Sequence, residues 1–115
     1  MHTLNQWIML VEFEKEYLKE LYETGKCRDK KHRYQPGVVK GYAKCIYRLQ
    51  EAQRVEDLYL YHSLRFEALT GDKAGLYSIR VNDQYRVEFR VSTIGETNET
   101  NIAVCSIADL SNHYK

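Results

Sequence analysis

The chain has 115 residues, of which 43% are hydrophobic and 29% are charged. This length supports one folded domain over residues 1–115 and is too short for two. Because the net charge is only +1, overall charge does not by itself indicate a nucleic-acid partner.

The cysteines and the N-terminal residues concern the cellular compartment. Cys27, Cys45 and Cys105 are odd in number, widely spaced and without a Cys-x-x-Cys pair, which argues against a disulfide framework and a zinc site. No export signal opens the chain, and no segment approaches membrane-spanning length. A protein of the reducing cytoplasm, with no membrane partner, metal or cofactor, is expected.

Positive charge is concentrated in the second quarter of the chain. Residues 1–25 sum to −3, whereas residues 26–33 hold five cations against Asp29, and residues 34–54 add +3. The basic segment includes Lys30 and Lys31. Such a run indicates either a solvated loop and helix face or a patch that contacts phosphates.

The first elements are a strand and a helix. The apolar run of Trp7–Phe13 predicts a strand. Apolar residues at helical spacing predict a helix over Glu14–Thr24, which Gly25 ends. Lys26–Gln35 is predicted to be a loop.

A second helix is predicted from about Pro36 to about Gln53. Proline is favoured at a helix start, and an apolar stripe follows it at Val39, Tyr42, Ile46 and Leu49. The other face carries a row of cations four residues apart: Lys40, Lys44 and Arg48. This row serves either solubility or a second phosphate contact.

The remaining elements complete an α+β class. Glu56–Leu69 reads as a short helical turn or an irregular approach, and Ser92–Asn101 as an exposed connection. Ile102–Ala108 is apolar on both faces and predicts a central strand. About four mostly antiparallel strands, with two N-terminal helices packed on one face, are expected.

The segment Gly71–Arg90 predicts a β-hairpin, because both halves alternate apolar and polar residues. A two-residue turn would pair apolar with polar side chains, whereas a three-residue loop over Asn82–Gln84 pairs like with like. The resulting core-face pairs are Val81 with Tyr85, Ile79 with Val87, and Tyr77 with Phe89.

This register also places Arg80 directly opposite Arg86 on the exposed face. Facing like charges destabilise a strand pair by roughly 0.2–1 kcal/mol, so an anion such as phosphate between them would explain the arrangement. Alternatively, both guanidinium groups are solvated, or Asp72 and Glu88 neutralise them.

Two hairpin motifs carry a family resemblance, Gly71-Asp72-x-x-Gly75-x-Tyr77-Ser78-Ile79-Arg80 and Asn82-Asp83-Gln84-Tyr85-Arg86-Val87. With the order of a strand, two helices and three strands, they resemble the HigB branch of the RelE/ParE toxin superfamily over nearly the whole chain. The resemblance implies a RelE-like fold and a toxin that cuts translated mRNA on the ribosome as an endoribonuclease. It also implies a HigA-like helix-turn-helix antitoxin as partner.

The resemblance implies roles for particular residues. Arg86 would clamp the scissile phosphate and Arg80 would assist it. His113 would transfer a proton, and Tyr114 would stack on a base. Charge alone, and not the resemblance, makes these lysines and this arginine the candidates for RNA and ribosome contacts: Lys73, Lys40, Lys44, Arg48, Lys30 and Lys31.

The chain departs from the HigB pattern in two places. Thr70, in Glu67-Ala68-Leu69-Thr70-Gly71, stands where the family's His-x-Leu-Lys-Gly carries a catalytic lysine, for which Lys73 or Arg65 would have to substitute. Ser111 and Asn112 replace the aspartate and tyrosine of a terminal Asp-Tyr-His. A non-catalytic binder therefore stays open, either ParE-like and directed at gyrase or an inactive toxin retained as an antitoxin partner.

Overall fold

The computed structural model describes residues 6–96 and 100–112. It contains a five-stranded sheet and two α-helices. The elements in chain order are β1 (Gln6–Phe13), α1 (Glu16–Thr24), α2 (Pro36–Glu51), β2 (Glu67–Ala68), β3 (Tyr77–Arg80), β4 (Arg86–Glu96) and β5 (Thr100–Ser111). Four short 3-10 turns lie at Lys30–His32, Val55–Leu60, His62–Leu64 and Gly71–Lys73.

The strand order is β1-β5-β4-β3-β2, with β1 parallel to β5 and every other pair antiparallel. The predicted α+β class and the central position of the last strand are confirmed. The fifth strand, β2, was not expected. Its two residues, Glu67 and Ala68, pair with Ser78 and Tyr77 at the sheet edge, and two residues are too few to show an alternating pattern.

The exposed connection predicted over Ser92–Asn101 is wrong. β4 runs on to Glu96, β5 already begins at Thr100, and Ser92 pairs with Val104. The partner strand β3 reaches only as far as Phe89, so the later part of β4 pairs with β5 alone. Ser92 and Thr93 are exposed on this less covered part of the sheet. Polar residues suit an exposed strand as well as a loop, so their polarity did not distinguish the two.

Both helices agree closely with expectation. α1 begins two residues late because the Glu14 N–H bonds to the Ile107 carbonyl at 2.8 Å, which continues the strand. Gly25 caps α1 in the left-handed region at φ 76°, where glycine carries no steric penalty. α2 begins at Pro36 as predicted.

The core lies between the helices and one face of the sheet. Tyr42 of α2 is fully buried and donates a hydrogen bond to the Leu18 carbonyl of α1 at 2.8 Å. Ile46 and Leu49 of α2 belong to the same buried cluster as Ile79, Val87 and Phe89 of the hairpin. The hairpin therefore packs against the helices with the apolar face that the sequence predicts.

The cysteines and candidate ligands fit no metal centre in the part of the chain that the structure describes. No group of three or more His, Cys, Asp or Glu residues there could hold a metal ion. Burial raises the pKa of the Cys45 and Cys105 thiols to about 12, so both stay protonated near neutral pH. Within the same residues, no helix is long and apolar enough to cross a membrane.

Gly41 allows α2 to approach the hairpin closely. A Cβ atom at this position would lie 2.8 Å from Val81 Cγ1, whereas one at Gly37 would meet nothing within 4 Å. We expect Gly41→Ala to lower the free energy of unfolding by about 1–2 kcal/mol relative to Gly37→Ala, since both changes raise helix propensity and only Gly41→Ala overpacks the contact with Val81. Urea denaturation of both variants measures the difference, and equal stabilisation would contradict the close packing.

Candidate active site

The hairpin places Arg80 directly opposite Arg86, as the sequence predicts. The three-residue loop is also present, since the Val81 N–H bonds to the Tyr85 carbonyl at 2.9 Å. The Asn82 side-chain oxygen accepts the N–H groups of Gln84 and Tyr85, each at 2.8 Å. These bonds fix the turn, and the turn fixes the strand register that places Arg80 opposite Arg86.

The face that carries these arginines is largely covered, which corrects the expectation of an exposed face. Ser78, Arg86 and Glu88 are all buried. The covering segment is the stretch before the hairpin: Arg65 and Glu67 contact Arg86, and Lys73 contacts Glu88. This segment therefore forms one wall of the site.

The Arg86 guanidinium contacts Glu67 and the backbone of Arg65. Its Nη1 lies 3.1 Å from Glu67 Oε1, and its Nη2 donates a hydrogen bond to the Arg65 carbonyl. Arg65 itself adopts a left-handed backbone at φ 47°, which is uncommon for a residue with a side chain. Such strain at a functional site is of order 1–3 kcal/mol, and here the strained residue presents its carbonyl to the guanidinium.

Arg80 and Lys73 each have a carboxylate partner. Arg80 pairs with Asp83 of the hairpin loop. Lys73 Nζ lies 2.7 Å from Glu88 Oε2, and only 3% of the Glu88 side chain is exposed. The alternative that Glu88 and Asp72 neutralise the two arginines is therefore wrong. Glu88 forms an ion pair with Lys73, and Glu67 forms one with Arg86.

Glu67 is the site residue that sequence reasoning missed. It drew notice only as a departure from the family's motif before the hairpin, and no role followed from that. In the structure it lies on the edge strand β2, pairs with Ser78 in register, and keeps 52% of its side chain exposed beside Arg86. A carboxylate open to solvent next to a fixed guanidinium can exchange a proton with a bound molecule.

The other basic candidates lie apart from the arginine pair. Lys30 and Lys31 occupy a short turn whose cap, Asp29, accepts the Lys31 N–H. The row Lys40, Lys44 and Arg48 lies on α2, which packs against the face toward which Ile79 and Val87 point. The structure therefore places Arg80, Arg86 and Lys73 together on one side of the hairpin, and the α2 row on the helix that covers the other side.

The C-terminal strand ends beside Arg86. Ser111 pairs with Arg86 in the β4–β5 register and is buried, while Asn112 is exposed. His113 and Tyr114 lie outside the described residues. Thr70, in place of the expected lysine, is exposed and precedes the Gly71–Lys73 turn.

Comparison with known proteins defines the class. A family model for the RelE-like toxin HigB of type II toxin-antitoxin systems matches residues 11–104. Toxin HigB-1 of Vibrio cholerae serotype O1 is 37% identical over 86 residues, covering 71% of this chain and 83% of that protein.

Solved structures share the fold. A YoeB/ParE toxin from Agrobacterium tumefaciens aligns with a TM-score of 0.55 at 20% identity, over 92% of this chain and all of that one. The YoeB-YefM complex from Staphylococcus aureus aligns with a TM-score of 0.51 at 19% identity, over 92% and 98% of the two chains.

The fold is thus that of the RelE/ParE class of toxins. The chain belongs to the HigB-like family of RelE-like toxins of type II toxin-antitoxin systems. The resemblance that the hairpin motifs carried is confirmed.

Proposed function

We propose that this toxin is a metal-independent endoribonuclease that cuts mRNA on the ribosome. The supporting observation is the fixed Arg86 guanidinium, held by Glu67 and the Arg65 carbonyl and facing Arg80 across the hairpin. Donors oriented before the reaction stabilise charge that develops on a phosphate without reorganising in the transition state. Membership of a family of RelE-like toxins supports the same reaction class.

The chemistry would be attack by the ribose 2′-hydroxyl on the adjacent phosphorus. Glu67 would take the hydroxyl proton, and Arg86 and Arg80 would stabilise the negative charge of the pentacovalent phosphate. The bond to the 5′ oxygen then breaks, and His113 would give that oxygen a proton. The products are a 2′,3′-cyclic phosphate and a 5′-hydroxyl. Tyr114 would stack on a base next to the scissile bond.

Primer extension on mRNA from cells in which the toxin is induced tests the proposal. A nuclease working on translated mRNA produces new 5′ ends in phase with codons, whereas a binder produces none. Absence of such ends during growth arrest would contradict the proposal.

Glu67→Gln tests the base. We expect cleavage to fall about a hundredfold, because a positioned base contributes roughly 10²–10⁴-fold, while the amide still accepts a hydrogen bond from Arg86. Primer extension on induced cells measures the loss. Asp72→Asn, which changes an exposed carboxylate in the neighbouring turn, is the matched control and should leave the cleavage rate unchanged.

A non-catalytic binder is the second candidate, favoured by Thr70, Ser111 and Asn112 at positions where the HigB pattern has catalytic residues. Such a protein would keep the fold and inhibit growth by binding, for instance, gyrase. Purified toxin would then block DNA supercoiling in vitro. Supercoiling that proceeds unchanged in the presence of the toxin would rule out the gyrase target.

We further propose a HigA-like helix-turn-helix antitoxin as partner, in the cytoplasm. An acidic segment of it would cover either the Arg80 and Arg86 surface or the α2 row, through charge complementarity. Lys30, Lys31 and Lys73 would add RNA or ribosome contacts. Antitoxin affinity that is unchanged by salt and by charge reversal at both Arg80 and Lys44 would contradict the antitoxin proposal.

A further inference from the structure

An aromatic surface lies next to the cation row of α2. Tyr47 on α2 is 54% exposed, and Tyr61, in the segment that follows the Val55–Leu60 turn, is 40% exposed. The Arg48 guanidinium carbon lies 4.5 Å from the centroid of the Tyr61 ring. The guanidinium orients this ring through a cation–π contact, so the two elements together form a defined surface.

The cations of this surface have no ion-pair partner in the part of the chain that the structure describes. Lys40, Lys44 and Arg48 are exposed, and none of the three takes part in an ion pair among the described residues. Glu51, one turn beyond Arg48, is exposed and equally unpaired in that part of the chain. Four residues of helix separate neighbouring cations by about 6 Å, so the row can follow consecutive phosphates of an extended strand.

We propose that Arg48 and Tyr61 form a stacking site for an unpaired RNA base, and that Lys40 and Lys44 hold the adjoining phosphates. Bases of single-stranded nucleic acid stack on aromatic side chains while neighbouring cations bind the backbone. The inference rests on the proposed function in taking RNA as the ligand. It adds a second RNA site, away from the arginine pair.

The fold links this site to Arg86. Tyr61 contacts Arg48, and four residues later the Arg65 carbonyl accepts the Arg86 hydrogen bond. One short segment thus touches both places. An acidic protein partner is the competing occupant of the same cations.

Binding of a short, labelled oligoadenylate with 2′-O-methyl riboses tests the inference, because this RNA cannot be cut. Fluorescence anisotropy compares it with the same chain lacking bases. Tyr61→Ala should weaken binding of the oligoadenylate about tenfold and leave the abasic chain unchanged, and Tyr61→Phe should restore binding. Lys40→Gln with Lys44→Gln should weaken both chains alike and reduce the salt dependence, unlike Lys19→Gln on α1.

The inference fails if Tyr61→Ala changes neither chain, or changes both equally. It also fails if this variant instead lowers affinity for the cognate antitoxin and binds the oligoadenylate normally. The proposed function is judged separately by primer extension. If the base stacks on Tyr61 but no mRNA is cleaved, only the nuclease proposal is contradicted. If mRNA is cleaved but no base stacks on Tyr61, only the second RNA site is contradicted.

Discussion

Replacing Arg86 by glutamine is expected to relieve growth inhibition and to lower mRNA cleavage by at least a hundredfold. Removing one preorganised donor to a developing oxyanion typically costs that much, and glutamine removes both the charge and the fork of donors. Arg86→Lys keeps the charge without the planar fork, so it should retain only a small part of the activity. Primer extension on induced cells and growth curves measure both effects.

The control for this experiment is Arg90→Gln. Arg90 follows on the same strand, is exposed, and pairs with Glu14 at 3.1 Å. Its replacement should change cleavage less than twofold. Circular dichroism and thermal unfolding of Arg86→Gln should show a folded protein, because half of the abandoned Glu67 side chain is exposed to solvent. A folded Arg86→Gln protein that still cuts mRNA would remove Arg86 from the site.

Replacing Lys73 by methionine is expected to lower the free energy of unfolding by about 3 kcal/mol. The Lys73 ammonium lies 2.7 Å from the Glu88 carboxylate, which is 3% exposed. Removing Lys73, whose side chain is 34% exposed, leaves the buried Glu88 carboxylate without its compensating charge. Urea denaturation measures the loss.

The double variant Lys73→Met, Glu88→Leu tests whether the loss of stability comes from the unpaired Glu88 charge or from the lost packing of the Lys73 side chain. It removes both charges and should recover most of the lost stability, since well-packed apolar residues often replace buried ion pairs without cost. Lys19→Met on the exposed surface of α1 should be neutral. If Lys73→Met keeps full stability and loses cleavage, the pair with Glu88 does not stabilise the fold, and only the proposed RNA contact of Lys73 remains.

Local signals in the sequence were sufficient for the hairpin. Alternation of apolar residues and the burial argument determined a three-residue loop, and with it the register that places Arg80 opposite Arg86. Both helices followed from apolar spacing, Pro36 and Gly25. These features depend on neighbouring residues, so a single sequence carries them.

Long-range features could not be read in the same way. β2 has two residues and forms only because the chain passes the edge of β3. The pairs of Arg86 with Glu67 and of Lys73 with Glu88 join residues that are 19 and 15 positions apart. No periodic pattern marks such pairs. The burial of Arg86 also depends on contacts with Arg65 and Glu67, in a segment for which the sequence predicted no regular structure.

The pairing of Arg86 with Glu67 bears on how the proposed nuclease would select its substrate. Free RNA would have to displace an intramolecular carboxylate that is always present, so a passing phosphodiester would compete poorly for the guanidinium. A strand held nearby on a large scaffold competes at a high effective concentration. The resting toxin thus carries its own competitor, and tethering of the message would convert a weak encounter into a productive one.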